Sequence, residues 1–275
     1  MNGKQKRMNS ILENGKAIMI PMDHGLSDGP LKGLANIHNT IHEVSLGGAS
    51  AVILHKGIIK SLPEVPNTSV IMHASAGTSV QSDTFTKVLV GTVEEAVKLG
   101  ADGFSLHINV GGAEKEPDMI RKLGTIAEEC DIWQMPLLAM MYPRGNNISK
   151  PIPTEKVALS ARVGAELGAD IVKSIYTGDV DSFSRVVDGC PVPVVVAGGQ
   201  KVDSVKDILK MVSDVMEAGA IGVTIGRNVF GSDNPQLLTK AIREIVLRKS
   251  TVTEALGIFS EENIHTSQSV SSPAD

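Results

Sequence analysis

The chain has 275 residues, 42% hydrophobic and 21% charged, with a formal net charge of −5. This is the composition of a globular protein able to bury one sizeable core. The negative balance, without a basic run, excludes nucleic-acid binding by bulk electrostatics, and no apolar stretch reaches membrane-spanning length.

The start, Met1 to Arg7, is polar and basic with no apolar signal segment after it. The two cysteines, Cys130 and Cys190, show no paired spacing, so reduced thiols and a cytoplasmic location are expected. Short apolar runs then alternate with helical patterns. The first strand, 17–22, leads into Pro21-Met22-Asp23-His24-Gly25. Leu46-Gly47-Gly48-Ala49-Ser50 follows, a junction at which glycine ends a helix in the left-handed conformation and alanine lets the next strand pack closely. Leu99-Gly100-Ala101-Asp102, Leu167-Gly168-Ala169-Asp170 and Ala218-Gly219-Ala220-Ile221 repeat it, which points to βα units.

Strands 51–55 and 69–73 end at His55 and His73. Thr92-Val93-Glu94-Glu95 opens a helix as a capping box. Strand 103–108 leads to His107 and Asn109, and strand 136–141 to Tyr142-Pro143-Arg144. A helix with the apolar stripe Leu159, Val163 and Leu167 precedes strand 170–175. That strand carries Lys173 inside an apolar run, where an ammonium is costly unless paired or used. Its two readings are a nucleophile that forms a Schiff base and a strand-end lysine reaching a carboxylate or water.

Strand 193–197 runs into Gly198-Gly199. The next helix shows Val205, Ile208, Leu209, Val212 and Val215 at helical spacing, with Ser204 and Asp207 as a capping box. Strand 222–226 ends at Gly226-Arg227-Asn228. Eight such units in residues 1–250 predict a single-domain (βα)8 TIM barrel. An open doubly wound sheet fits less well, because no GxGxxG follows the first strand. Residues 251–275 are Ser-rich and aperiodic and read as a disordered tail.

In such a barrel chemistry gathers at the C-terminal strand ends. Gly198, Gly199, Gly226 and Arg227 fall after strands seven and eight, a frequent phosphate position. Tyr142 suits a proton donor, and Asp23 a proton acceptor or a partner of Lys173. His24, His55, His73 and His107 end four successive strands, which raises a zinc site. No His-x-His pair supports one, so neither metal nor cofactor is expected.

Pro21-Met22-Asp23-His24-Gly25, Tyr142-Pro143-Arg144-Gly145, Ile171-Val172-Lys173, Ala197-Gly198-Gly199 and Gly226-Arg227-Asn228-Val229-Phe230 together resemble the archaeal-type class I aldolases, in order over about residues 8–250. The resemblance implies Lys173 as Schiff-base nucleophile, Tyr142 as proton donor and Asp23 as proton acceptor. It also implies substrate contacts from His24, Gly25, Leu26, Ser27, Pro143, Arg144, Ser174 and Ile175. Phosphate is implied near Gly198, Gly199, Gly226 and Arg227. Sugar-phosphate and aldehyde substrates follow, as does a homo-oligomer, a decamer in the family, with no nucleic-acid or membrane partner. Fructose-bisphosphate aldolases of the family tend to carry tryptophan where this chain has Met140. That points to the branch that transfers a three-carbon ketose-phosphate fragment to aspartate semialdehyde. A dihydroxyacetone-phosphate aldolase, a fructose-bisphosphate aldolase and a non-catalytic sugar-phosphate-binding barrel are the alternatives.

Overall fold

The computed structural model describes residues 2–199 and 204–259. Its strands, in chain order, are β1 (Ala17–Pro21), β2 (Ala51–His55), β3 (Ser69–His73), the short β4 (Ser75–Ala76) and β5 (Val88–Leu89), β6 (Gly103–Val110), β7 (Leu137–Pro143), β8 (Ile171–Ile175), β9 (Val194–Ala197) and β10 (Gly222–Thr224). All but β4 and β5 close into a parallel barrel in the circular order β1-β10-β9-β8-β7-β6-β3-β2. The helices are α1 (Gly3–Ile11), α2 (His24–Asp28), α3 (Ile37–Leu46), α4 (Lys56–Ser61), α5 (Val93–Lys98), α6 (Glu116–Ile132), α7 (Thr154–Glu166), α8 (Val180–Asp188), α9 (Val205–Glu217), α10 (Arg227–Phe230) and α11 (Pro235–Arg248). The (βα)8 expectation holds, and each predicted barrel strand is present within a few residues of its predicted ends.

The repeated junction has a physical basis. Gly100 and Gly168 sit at φ +73° and +95°, a turn that side chains resist. Two residues later Asp102 accepts a hydrogen bond from the Val70 N–H (3.0 Å), and Asp170 one from Leu137 N–H (2.8 Å). Ser50 does the same for Ile18 (2.9 Å). Each junction thus ties the base of one strand to a neighbouring strand. Two apolar cores result. One lies between barrel and helices. The other fills the barrel interior with Met19, Ile53, Ile71, Leu138, Ile171 and Val195, and Ile11 of α1 closes its N-terminal end. Inward residues alternate along each strand, and the register pairs Met140 with Lys173 and Lys173 with Val195.

The structure corrects three local expectations and adds one element. Leu159 is largely exposed; α7 instead buries Val157, Ala161 and Gly164, while Val163 and Leu167 pack at the edge of the core. Small residues there let α7 approach the barrel, and a Cβ on Gly164 would meet Met141 Cγ at 2.7 Å. Ser204 is the N-cap of α9, but its side chain makes no capping hydrogen bond, whereas Thr92 caps α5 as expected. The β4–β5 hairpin was not anticipated, since two-residue strands leave no period to read. Finally, the ordered chain does not stop at 250. Residues 252–259 form a helix that buries Ala255 and packs Val252, Leu256 and Phe259 on the core, so the first part of the expected tail is folded. Residues 260–275 lie outside the described residues. No helix among the described residues is long and apolar enough to cross a membrane.

Candidate active site

The C-terminal mouth of the barrel opens into a cavity of about 240 Å³. Of the residues expected from sequence, Asp23, His24, Ser27, Tyr142, Arg144, Lys173, Ile175, Gly198, Gly199, Gly226 and Arg227 line it. Gly25, Leu26, Pro143 and Ser174 do not. Ser174 and Pro143 follow inward-facing residues on their strands, and successive side chains point to opposite faces; Ser174 is fully buried on the helix side. Gly25 and Leu26 lie on the exposed side of α2.

Lys173 is 5% exposed. Among the described residues its ammonium has neither a hydrogen-bond acceptor nor an ion-pair partner, so the carboxylate partner considered above is absent. Its stem is held between Met140 and Val195 on the neighbouring strands, and the amine faces the cavity. Tyr142, one strand over, is nearly buried. Its ring meets His107 edge-on at 4.8 Å, and the Arg144 guanidinium lies 4.5 Å over its centre.

Asp23 precedes α2, with Oδ1 3.5 Å from His24 Nδ1 and Oδ2 3.7 Å from His73 Nε2. Asp23 Oδ1 and His24 Nδ1 are buried without a hydrogen-bond partner. Burial works to raise the Asp23 pKa, but the positive field of His73, His24 and Lys173 outweighs it and holds the carboxyl well below its usual range. Burial pushes His73 down to about 4 and also lowers His24 and His55. These imidazoles are neutral near pH 7, and an anionic Asp23 is left facing Lys173.

The four strand-end histidines do converge, and His73 and His107 are engaged in hydrogen bonds. His73 Nδ1 bonds Ser105 Oγ at 2.8 Å. His107 Nε2 donates to Asn109 Oδ1 (2.8 Å), since the Asn109 amide donates to the Phe85 carbonyl (2.7 Å). His55 stacks edge-on against His73 at 5.2 Å. Among the described residues no three His, Cys, Asp or Glu side chains are arranged to hold a metal ion.

The two glycine junctions meet as anticipated. Arg227 donates to Gly199 O (3.0 Å) and Asn228 to Gly198 O (3.0 Å), which fixes the loops after β9 and β10 against each other. Gly226 must be glycine for reasons of space: a Cβ would lie 2.6 Å from Pro21 O and 2.8 Å from His24 Cε1. Sequence reasoning missed Asp28, Lys87 and Thr224 as cavity residues, and it named Met140 only as a position that separates branches of the family and His107 as a strand-end candidate. Period-2 alternation from Lys173 and its neighbours points to Met140 and Thr224; nothing local points to Lys87.

A closed (βα)8 barrel with one unpaired buried amine at its catalytic mouth, beside a tyrosine and an ionised carboxylate, defines a lysine-dependent aldolase of class I. The chain belongs to the DeoC/LacD family of aldolases, whose model matches residues 17–232. It is 46% identical over 248 residues, 90% of this chain and 92% of the other, to 2-amino-3,7-dideoxy-D-threo-hept-6-ulosonate synthase 1 of Archaeoglobus fulgidus. It is 38% identical over 238 residues, 86% of each chain, to 2-amino-4,5-dihydroxy-6-oxo-7-(phosphonooxy)heptanoate synthase of Streptomyces griseus. An archaeal fructose-1,6-bisphosphate aldolase, solved with its catalytic lysine bound to a carbinolamine intermediate, superposes with a TM-score of 0.83 at 30% identity, over 89% of this chain and 99% of that one.

Proposed function

We propose that the protein is a transaldolase that forms its Schiff base on Lys173 and makes 2-amino-3,7-dideoxy-D-threo-hept-6-ulosonate, an early step toward 3-dehydroquinate and the aromatic amino acids. The unpaired Lys173 amine facing the cavity carries the reading. The product has a methyl at carbon 7 and a ketone at carbon 6, so the retained fragment is the deoxy end of 6-deoxy-5-ketofructose 1-phosphate. Lys173 Nζ adds to the keto carbon beside that methyl, and water leaves to give the iminium. Asp23 takes the proton of the hydroxyl beyond the adjacent carbon. The C–C bond breaks, its electrons move into the iminium to give an enamine, and the phosphate-bearing aldehyde departs. The enamine carbon then attacks the aldehyde of L-aspartate 4-semialdehyde, Tyr142 protonates the new alkoxide, water releases the product from Lys173, and the proton that Asp23 took passes to the Tyr142 phenolate, which restores both groups. Gly198, Gly199, Gly226 and Arg227 hold the donor phosphate.

A second reading is favoured by the placement of that glycine–arginine cradle on β9 and β10, beside β8 and its Lys173. There it suits a phosphate kept next to the reacting ketone, as in the phosphonooxy product that the Streptomyces relative's name describes. Dihydroxyacetone phosphate would then be the donor. The two readings differ in product mass by the retained phosphate.

The test is borohydride reduction of the protein with each donor, followed by peptide mapping. Adduct mass on the Lys173 peptide supports the nucleophile assignment; label on another lysine, or none, overturns it. Mass spectrometry of the product formed with aspartate semialdehyde decides between the donors. We also propose a cytoplasmic homo-oligomer. The buried free thiols of Cys130 and Cys190 suit a reducing compartment. Exposed Ile132, Trp133 and Leu159 on the outer helices suit contact with other copies, which light scattering checks.

A further inference from the structure

We propose that Asp28, Lys87 and Arg144 form a clamp for the amino-acid end of the acceptor aldehyde, with its carboxylate on Lys87 and Arg144 and its ammonium on Asp28. The proposal deepens the second reading above, in which the bound ketose keeps its phosphate in the glycine–arginine cradle, and rests on it.

Position comes first. In the circular strand order the glycine–arginine cradle sits on β9 and β10, and Lys173 on the adjacent β8. Diametrically opposite β9 and β10 lie β3 and β6. Lys87 comes from the segment that follows β3, and Arg144 from the end of β7, beside β6. A chain molecule bound at Lys173 with one end in the cradle has its other end directed at Lys87 and Arg144.

The segment carrying Lys87 is a built strap. β4 and β5 pair at its base. The Asn109 amide, itself bonded to His107, holds Phe85 O at 2.7 Å. Lys122 donates to Lys87 O at 2.6 Å. Ser79 bonds Ser27 O through both its N–H (3.1 Å) and its hydroxyl (2.9 Å), which fastens the strap to the turn of α2 that carries Asp28. The Lys87 side chain runs over Gly77, where a Cβ would come within 2.9 Å of its Nζ.

Charge comes second. Asp28, Lys87 and Arg144 all line the cavity, and among the described residues none has an ion-pair partner. Lys87 and Arg144 repel each other: burial first and then the Arg144 charge lower the Lys87 pKa, and Asp28 and Asp83 partly offset this. Two cations that line one cavity, neither of them in an ion pair among the described residues, make a receptor for an anion. A phosphate would satisfy the cations but be repelled by Asp28. A 2-amino carboxylate satisfies all three. Both synthases similar to this chain are named for products with a 2-amino acid end.

Lys87→Met and Asp28→Asn test this, assayed with the donor selected above and with two acceptors: L-aspartate 4-semialdehyde and succinate semialdehyde, which lacks the amino group. Removing a charged hydrogen bond that holds equally in ground and transition state should appear in KM. Lys87→Met is expected to raise KM for aspartate semialdehyde by about tenfold or more, with a far smaller change in kcat. Asp28→Asn is expected to reduce the preference for aspartate over succinate semialdehyde by about tenfold. Borohydride trapping of the donor, which bears no amino-acid end, reports separately on Lys173. If both variants trap donor and keep wild-type KM and acceptor preference, the clamp is refuted while the aldolase reading stands. If Lys87→Met raises KM for the donor alone, the strap serves the donor phosphate and the clamp is again refuted. If the wild-type protein traps no donor, the underlying reading fails and the clamp with it.

Discussion

Acid should unfold this protein partly through one histidine. His73 is 3% exposed and its pKa is pushed from 6.5 to about 4, chiefly by burial. Its folded pKa lies below its unfolded one, so between these values the unfolded chain binds more protons and stability rises with pH. The contribution is present in full above pH 6.5 and is lost as pH falls toward 4. A shift of about 2.5 units corresponds to about 3 kcal/mol. Asp23 is depressed too, but from 3.8, so its share is lost only below that pH and does not overlap this window. His24, His55 and His107 act in the same direction as His73, so total acid lability alone does not isolate it. Comparison with His73→Asn does, because an amide can keep the Ser105 hydrogen bond without titrating. Urea unfolding at pH 7 and at pH 4.5 should show the wild type losing about 2 kcal/mol more than the variant. Equal losses, or an NMR titration placing the His73 imidazole near 6.5, would refute the reasoning.

Tyr142→Phe should lower kcat by about 10²- to 10⁴-fold with little change in KM, since a proton donor acts as bonds form and break; near-normal kcat would remove Tyr142 from that role. Arg227→Ala should instead raise KM for the phosphorylated donor more than it lowers kcat, and an unchanged KM would place the phosphate elsewhere. EDTA should leave turnover intact, because a lysine iminium supplies the electron sink a zinc ion would otherwise provide; loss of activity restored by added zinc would point back to the histidines. Deleting residues 252–275 should lower the melting temperature, as it strips Val252, Ala255, Leu256 and Phe259 from the core, whereas deleting 260–275 should not; equal stability of the two truncations would show that the terminal helix contributes nothing.

Several features were legible without coordinates because their causes are local. Lys173 stands out in an apolar strand whatever the strand pairs with. The glycine junctions mark helix ends because a left-handed residue is needed there, and alternation of strand and helix periods limits the topology to a barrel or an open sheet. The Gly198-Gly199 and Gly226-Arg227 turns were readable for the same reason, as two turns at fixed places in a repeating order.

Other features needed chain closure. Only the closed sheet decides which of the two alternating faces of a strand turns inward, and it puts Lys173, its register partner Met140, and Tyr142 on the cavity. The low pKa of Asp23 depends on His73, fifty residues later in sequence, and on Lys173, a further hundred along. The strap that carries Lys87 has no periodic signal of its own. Its position follows from Asn109, Lys122 and Ser27, each on a different element. The helix at 252–259 looked like tail because its few apolar residues find a surface to bury against only after the barrel and α11 have formed. Sequence determined which residues were able to do chemistry, through local backbone and desolvation constraints. Tertiary structure decided which of them face one another, since burial and electrostatic coupling depend on distance in space and not along the chain.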